Sequence, residues 1–174
     1  MSLALAGVDT LAQSPELWAR ELLADADGLG GYALVFVLAA IPLLEILVVI
    51  PIGVGLGFQP IAVAIAAFLG NLLPIYGIIA AHERIEGYLE RRQNESEPSK
   101  RRQRAKRLWN RYGLPGLAVA SPISTGVHLA AVFALGLGSS RRSTAVWMTA
   151  SIAAWTVVIT AGSVFALSTI QAVL

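Results

Sequence analysis

Four long apolar stretches limit the possible folds of this chain more than any other feature. The chain has 174 residues, of which 56% are hydrophobic and 14% charged, and its mean hydropathy is +0.67. A soluble domain of this size is nearer a quarter charged. We therefore predict an all-α integral membrane protein with a single membrane domain over residues 1–174. The stretches are residues 32–57, 60–81, 113–138 and 143–167.

The first and third stretches are interrupted in ways that a simple membrane anchor does not need. Pro42 divides the first stretch and Pro122 the third. Proline removes a backbone N–H, and the carbonyl that it frees needs a partner at membrane depth. The ten residues before Pro42 make only about 15 Å of helix, roughly half of a bilayer. We predict that 32–57 and 113–138 are re-entrant helix hairpins, each followed by a transmembrane helix over 60–81 or 143–167.

Basic residues are confined to one part of the sequence, and this predicts the orientation. Of 13 Lys and Arg residues, only Arg20 lies outside 84–142. If all four stretches crossed the bilayer, Arg141 and Arg142 would lie opposite the basic segment 82–112, against the positive-inside rule. Two re-entrant stretches put every basic residue except Arg20 on the cytoplasmic side of an inner (plasma) membrane, with the N-terminus outside. Contacts with lipid headgroups are predicted for Arg101, Arg102, Arg104, Arg141 and Arg142, and none with nucleic acid.

An approximate repeat supports the same topology. Pro42 precedes Gly55-Leu56-Gly57 as Pro122 precedes Gly136-Leu137-Gly138, at an offset of about 80 residues. Two such units of opposite orientation predict an inverted repeat, an architecture of transporters whose site lies near the bilayer midplane. Because one chain would cross only twice, we expect a homodimer.

An N-terminal amphipathic helix is predicted over residues 14–27. Ser14 is a suitable cap, Pro15 suits the first helical position, and Trp18 suits a membrane interface. The glycines of the segment 28–31 are expected to end this helix.

Glu45 is the only acidic residue inside an apolar stretch. It could be a protonatable carboxylate that couples proton movement to substrate binding. It could equally complement the positive end of a helix that starts at Pro42. Ser121 is a plausible cap for a second buried helix start at Pro122, and two such ends meeting at mid-membrane would favour an anionic group.

Other polar residues in the apolar stretches have two interpretations each. Ser124 and Thr125 can form hydrogen bonds with backbone groups that the helix break leaves without partners. His128 can relay protons or can simply be a packing residue. Asn71 can form a hydrogen bond between helices or can face a cavity. The predicted substrate or proton site comprises Pro42, Glu45, Pro51, Asn71, Pro122, Ser124, Thr125 and His128.

Catalysis has no support in the sequence. There is no cysteine, and no catalytic triad, phosphate-binding glycine loop or cluster of metal ligands is recognisable. We expect no enzyme activity, no metal and no cofactor.

Two groups of motifs resemble a known family. The first group resembles the small multidrug export membrane proteins, and it consists of Glu45-x5-Pro51-Ile52-Gly53 followed by Leu69-Gly70-Asn71-Leu72-Leu73-Pro74. The second group is similar to that family's second half, and it consists of Tyr112-Gly113-Leu114-Pro115-Gly116-Leu117 and the segment from Pro122 to Gly126. The resemblance covers residues 38–167 and implies drug export. It also implies a distant similarity to DedA-type (VTT) proteins, which have two re-entrant hairpins and include lipid-phosphate translocases. The family pattern often has Arg two residues after the glutamate, where this chain has Leu47.

Three functions are therefore considered. The first is a transporter of small or amphipathic solutes, coupled to protons through Glu45. The second is a DedA-like lipid-phosphate flippase or scramblase. The third is a membrane scaffold without transport activity, whose helix breaks only shape an oligomer.

Overall fold

The computed structural model describes residues 15–42, 44–82 and 100–173. For residues 100–105 it describes the backbone alone. The secondary structure of this part of the chain is entirely helical, which confirms the all-α prediction. The helices are α1 (Pro15–Ala24), α2 (Gly28–Ala39), α3 (Glu45–Gly55), α4 (Pro60–Ala80), α5 (Lys100–Ser124), α6 (Val127–Gly136) and α7 (Arg141–Val173).

Two of these helices are long and apolar enough to cross a bilayer. Helix α4 has 21 residues and α7 has 33, which correspond to about 31 Å and about 50 Å. They lie where the sequence predicts transmembrane helices, over 60–81 and 143–167. Their length and composition agree with a membrane protein.

The chain divides into two compact units. The first runs to Asn71 and resumes at Thr156, and the second comprises Leu72–Trp155. In the first unit α1, α2 and α3 all contact one another, and their core contains Leu23, Leu38 and Val49. In the second unit α5 packs on α6 through fully buried residues that include Leu117, Ala118, Ala130 and Ala134.

The first broken stretch forms two short helices. Helices α2 and α3 have 12 and 11 residues, about 18 Å and 16 Å, so neither can cross a bilayer alone. Between them the backbone N–H groups of Leu44 and Glu45 both donate to the carbonyl of Ile41, at 3.0 and 3.2 Å. Pro42 lies in this turn, and not at the first helical position as predicted. The helix break is observed, while its re-entry into a bilayer stays a prediction.

The third stretch is also broken, but not at the proline. Pro122 lies inside α5, and the break comes at Gly126, whose φ of 84° is unfavourable for any residue with a side chain. Helix α6 then begins at Val127. The predicted helix start at Pro122, with Ser121 as its cap, is therefore wrong by about five residues.

The two halves share an equivalent turn at a spacing of 81 residues. Helix α3 ends in a Schellman turn, in which the N–H of Phe58 donates to the carbonyl of Gly53 at 3.1 Å and Gly57 has φ 88°. Helix α6 ends in the same way, with Ser139 donating to Ala134 at 3.0 Å and Gly138 at φ 89°. The repeated Gly-Leu-Gly segments therefore have the same local structure.

The helices that follow these turns also begin alike. The side-chain oxygen of Gln59 accepts the N–H of Ala62 at 2.5 Å, and Ser140 Oγ accepts the N–H of Ser143 at 3.1 Å. These caps satisfy N–H groups that lack partners within α4 and α7. The two turns and the helix starts after them thus share a hydrogen-bond pattern, whereas the inverted repeat stays a prediction.

The amphipathic helix predicted over residues 14–27 ends three residues earlier than expected. Helix α1 stops at Ala24, and Gly28 to Gly31 form the first turn of α2 where the sequence suggested a helix end. Ala19 and Leu23 are buried, while Leu17 and Glu21 are exposed, so α1 has one buried face and one exposed face. Ser14 lies outside the described residues.

Candidate functional site

Glu45 combines three unusual properties at the first helix break. It is the first residue of α3, it is only 5% exposed, and its φ is 28°. A residue with a side chain rarely adopts a positive φ, and such strain costs about 1–3 kcal/mol. The neighbouring Leu44 and Ile46 are also buried. A buried carboxylate at a helix N-terminus can stabilise the helix end, and ionisable groups inside membrane proteins commonly mark functional sites.

Pro42 and Pro51 lie near Glu45 in sequence, but both are exposed. Pro51 is inside α3, where the lack of an N–H leaves the carbonyl of Leu47 without its usual helical donor. The two prolines therefore shape the backbone around Glu45, and their rings are not part of the buried core.

Around Pro122, hydroxyl groups replace the missing backbone donor. Pro122 cannot donate to the carbonyl of Ala118, four residues earlier. That carbonyl instead accepts Ser121 Oγ at 2.8 Å and Ser151 Oγ at 2.7 Å. On the next residue of the same helix, the carbonyl of Val119 accepts Trp155 Nε1 at 2.9 Å. Helix α7 therefore supports the proline-containing part of α5, which explains how α5 continues through Pro122.

We expect Ser151→Ala to lower the free energy of unfolding by about 1 kcal/mol, because a buried hydrogen bond to Ala118 is lost. In a Pro122→Ala background the same substitution should cost much less, since residue 122 then supplies its own N–H to this carbonyl. Unfolding in mixed micelles, followed by circular dichroism, measures both effects.

Ser163→Ala is the matched control, because Ser163 donates only to the carbonyl of Ile159 in its own helix, at 2.8 Å. Equal losses for Ser151→Ala in the parent chain and in the Pro122→Ala background would contradict this role of Ser151.

The other predicted residues of the second break lie close to the start of α6. Ser124 Oγ donates to the carbonyl of Ala120 in its own helix at 2.7 Å, and Thr125 Oγ1 makes a long bond of 3.4 Å to the carbonyl of Gly126. Thr125 and His128 are both buried, and His128 is the second residue of α6. Gly126 provides no side-chain cap to the first N–H groups of this helix. The break thus places one titratable ring beside a buried helix N-terminus.

Asn71 is completely buried within α4. Neither its amide oxygen nor its amide nitrogen has a hydrogen-bond partner in the described part of the chain. The interhelical bond that the sequence suggested for Asn71 is therefore not observed there. A buried amide without a partner is costly, and such groups are retained mostly where they have a function.

The predicted site residues fall into two groups. Pro42, Glu45, Pro51 and Asn71 belong to the first unit, and Pro122, Ser124, Thr125 and His128 belong to the second. Sequence reasoning missed Ser151 and Trp155. Pro122 identifies the carbonyl that needs a donor, but nothing in the sequence identifies the donor. Ser151 lies 33 residues further along the chain than that carbonyl.

The arginines predicted to contact lipid headgroups lie in two places. Arg141 and Arg142 are exposed in the first turn of α7. Arg101, Arg102 and Arg104 lie in α5, and their side chains are outside the described residues.

A groove of about 630 Å³ lies within the first unit, between α4 and α7. Its walls are almost entirely apolar, and they include Ile61, Ile65, Val164 and Phe165. The side chains of Thr156 and Thr160 also line it. This volume and this apolar character are typical of sites for small organic molecules. In the described ranges, no group of three or more His, Cys, Asp or Glu residues is placed so that it could hold a metal ion.

Comparison with known proteins gives one match. Residues 45–158 match the model of a family described as "Putative small multi-drug export protein". The match begins at Glu45, the first residue of α3, and continues through the second helix break into α7. No curated protein and no solved structure matches the chain.

Proposed function

Since the chain belongs to the small multi-drug export family, we propose that it is a membrane transporter that exports small or amphipathic solutes and is coupled to protons through Glu45.

The buried carboxylate of Glu45 is the observation that carries this proposal. Placing an acidic residue near the middle of a membrane helix costs about 2.5–3.5 kcal/mol, and the positive φ of Glu45 adds backbone strain. Proteins keep such features mainly at functional sites, where the surrounding structure supports them. A charge at a helix end is worth up to about 2 kcal/mol in a partly buried geometry, so the helix-end role alone does not match this cost.

The groove between α4 and α7 supports amphipathic solutes as the substrate class. Its apolar walls suit the hydrocarbon or aromatic part of such a molecule, and the hydroxyl groups of Thr156, Thr160 and Ser168 are the polar groups on its lining residues. The lining contains no charged side chain. A charged solute would therefore keep its charge outside the groove.

Reconstitution into liposomes tests the proposal. A pH gradient should drive accumulation of ethidium, a small amphipathic dye, and the ionophore nigericin should abolish it by collapsing the gradient. Protein-free liposomes and heat-denatured protein are the controls. Ethidium accumulation that persists without the gradient would rule out proton coupling.

Lipid-phosphate translocation of the DedA type is the second candidate. The start of α6 favours it, because a buried helix N-terminus attracts an anionic group such as a phosphate. In this case the same liposomes should move a fluorescent lipid phosphate between leaflets without a pH gradient. If neither ethidium nor the lipid phosphate moves, a membrane scaffold is the function that is left.

For the orientation we propose an inner-membrane homodimer with the N-terminus outside and segment 82–112 in the cytoplasm. The confinement of all Lys and Arg except Arg20 to 84–142 supports this arrangement. Labelling of a single cysteine at Ser140 by an impermeant maleimide added to intact cells would contradict it.

A further inference from the structure

The first part of α5 is a strongly basic helix that is distinct from the apolar part after it. Residues 100–112 contain seven Lys and Arg residues and no acidic residue. Gly113 has non-helical angles, φ 63° and ψ −157°, so the helix axis is broken there. The chain continues into the apolar residues 114–124. A basic helix is thus joined by a sharp bend to a segment with the composition of a membrane helix.

The last two turns of the basic helix are amphipathic. Leu108, Trp109 and Tyr112 lie within an arc of about 100°, given 3.6 residues per turn. Lys106 and Arg111 lie on opposite flanks of this arc, and both are exposed. Tyr112 is 56% exposed although it belongs to the apolar face. Both the apolar face and its basic flanks therefore have surface available for contact.

Arg111 and Tyr112 are in contact along one flank. The guanidinium carbon of Arg111 lies 5.2 Å from the centre of the Tyr112 ring. Tyrosine and tryptophan are the aromatic residues enriched at the level of lipid headgroups, where one end of the side chain is apolar and the other polar. An arginine stacked on such a ring is held at the same level, close to phosphate groups.

We propose that residues 100–112 form an interfacial helix that binds the anionic phospholipids of the chain's own membrane. A helix with aromatic and aliphatic residues on one face and Lys and Arg beside them lies in the plane of the interface. Its charge is complementary to a leaflet rich in phosphatidylglycerol or other acidic lipids. The bend at Gly113 lets this helix lie along the surface while residues 114–124 enter the apolar layer. This proposal concerns lipid binding and does not depend on whether the protein transports anything.

Spin-labelled lipids test the binding. In bilayers of phosphatidylcholine mixed with phosphatidylglycerol, the intact protein should associate with spin-labelled phosphatidylglycerol in preference to the choline lipid. Lys106→Gln with Arg111→Gln should reduce this preference by about fivefold for each lost charge at low salt. The matched control, Lys106→Arg with Arg111→Lys, keeps both charges and should keep the preference. An unchanged preference in the double glutamine variant would overturn the proposal.

The position of the helix is tested independently of those substitutions. The chain has no cysteine, so single cysteines can be introduced for nitroxide labelling without a background. Nitroxides at Leu108 and Tyr112 should be more accessible to oxygen, which concentrates in the bilayer. A nitroxide at Asn110, on the opposite face, should be more accessible to a water-soluble nickel complex. Equal accessibility to the nickel complex at all three positions would overturn the interfacial placement.

Discussion

Glu45→Gln is expected to reduce pH-driven accumulation of ethidium at least tenfold. Glutamine keeps the size of the side chain and can still form hydrogen bonds, but it cannot release a proton at the start of α3. Energy-independent exchange of ethidium across the same liposomes should continue, because substrate binding does not need the proton once coupling is lost. Paired assays with and without the gradient, on protein reconstituted at equal density, measure the two activities.

Glu16→Gln is the matched control for this substitution. Glu16 also lies in the first turn of a helix, α1, but it is exposed. If Glu45 only stabilised the start of α3, Glu45→Gln would lower the free energy of unfolding by up to about 2 kcal/mol and Glu16→Gln by less, and both variants would keep full uptake. Normal pH-driven uptake by Glu45→Gln would therefore remove proton coupling through this residue and leave the helix-end role.

The long uninterrupted elements were predictable, because length and hydropathy decide them. Helix α4 covers 60–80, against a prediction of 60–81, and the stretch 143–167 lies inside α7. In both cases the apolar run exceeds what a bilayer requires, so local details cannot change the outcome. The basic segment was less predictable. Its residues 100–112 form a helix although seven like charges repel one another, because Lys and Arg are good helix formers.

The positions of the two breaks were only partly predictable, and the reason is physical. At Pro122 the missing N–H suggested a helix start, yet Ser121 and Ser151 satisfy the freed carbonyl and the helix continues. The chain breaks instead at Gly126, where φ is 84°. Sequence identifies which carbonyl a proline frees, but a donor from another helix is a property of the tertiary structure. At the first break Glu45 is buried, as its position in an apolar stretch suggests, while its φ of 28° had no signal in the sequence.

Gly70 illustrates a second kind of information that the sequence does not contain. Within the first unit, a Cβ atom added at Gly70 would overlap the backbone carbonyl of Phe36 in α2. Small residues at membrane helix contacts allow backbones to approach this closely. Nothing in the sequence around Gly70 indicates which helix comes near. The close contact shows that Gly70 sets the distance between α2 and α4.

We expect Gly70→Ala to lower the free energy of unfolding by about 3 kcal/mol, since the added methyl group meets backbone atoms that cannot rotate away. Gly77→Ala is the matched control in the same helix, because no atom lies within 4 Å of a Cβ at that position. Replacing a helical glycine by alanine in open space usually stabilises by up to about 1 kcal/mol. The two variants should therefore change stability in opposite directions, as measured by unfolding in mixed micelles.

The comparison also separates helix packing from helix propensity. Both substitutions raise the intrinsic helix propensity of α4 by the same amount, so any difference between them comes from the contact with Phe36. Gly70→Ala with stability equal to or above that of the parent would mean that α2 and α4 are not held at this distance. A loss confined to Gly70→Ala would establish the close approach, and the buried Asn71 beside it would then be fixed in position by the same contact.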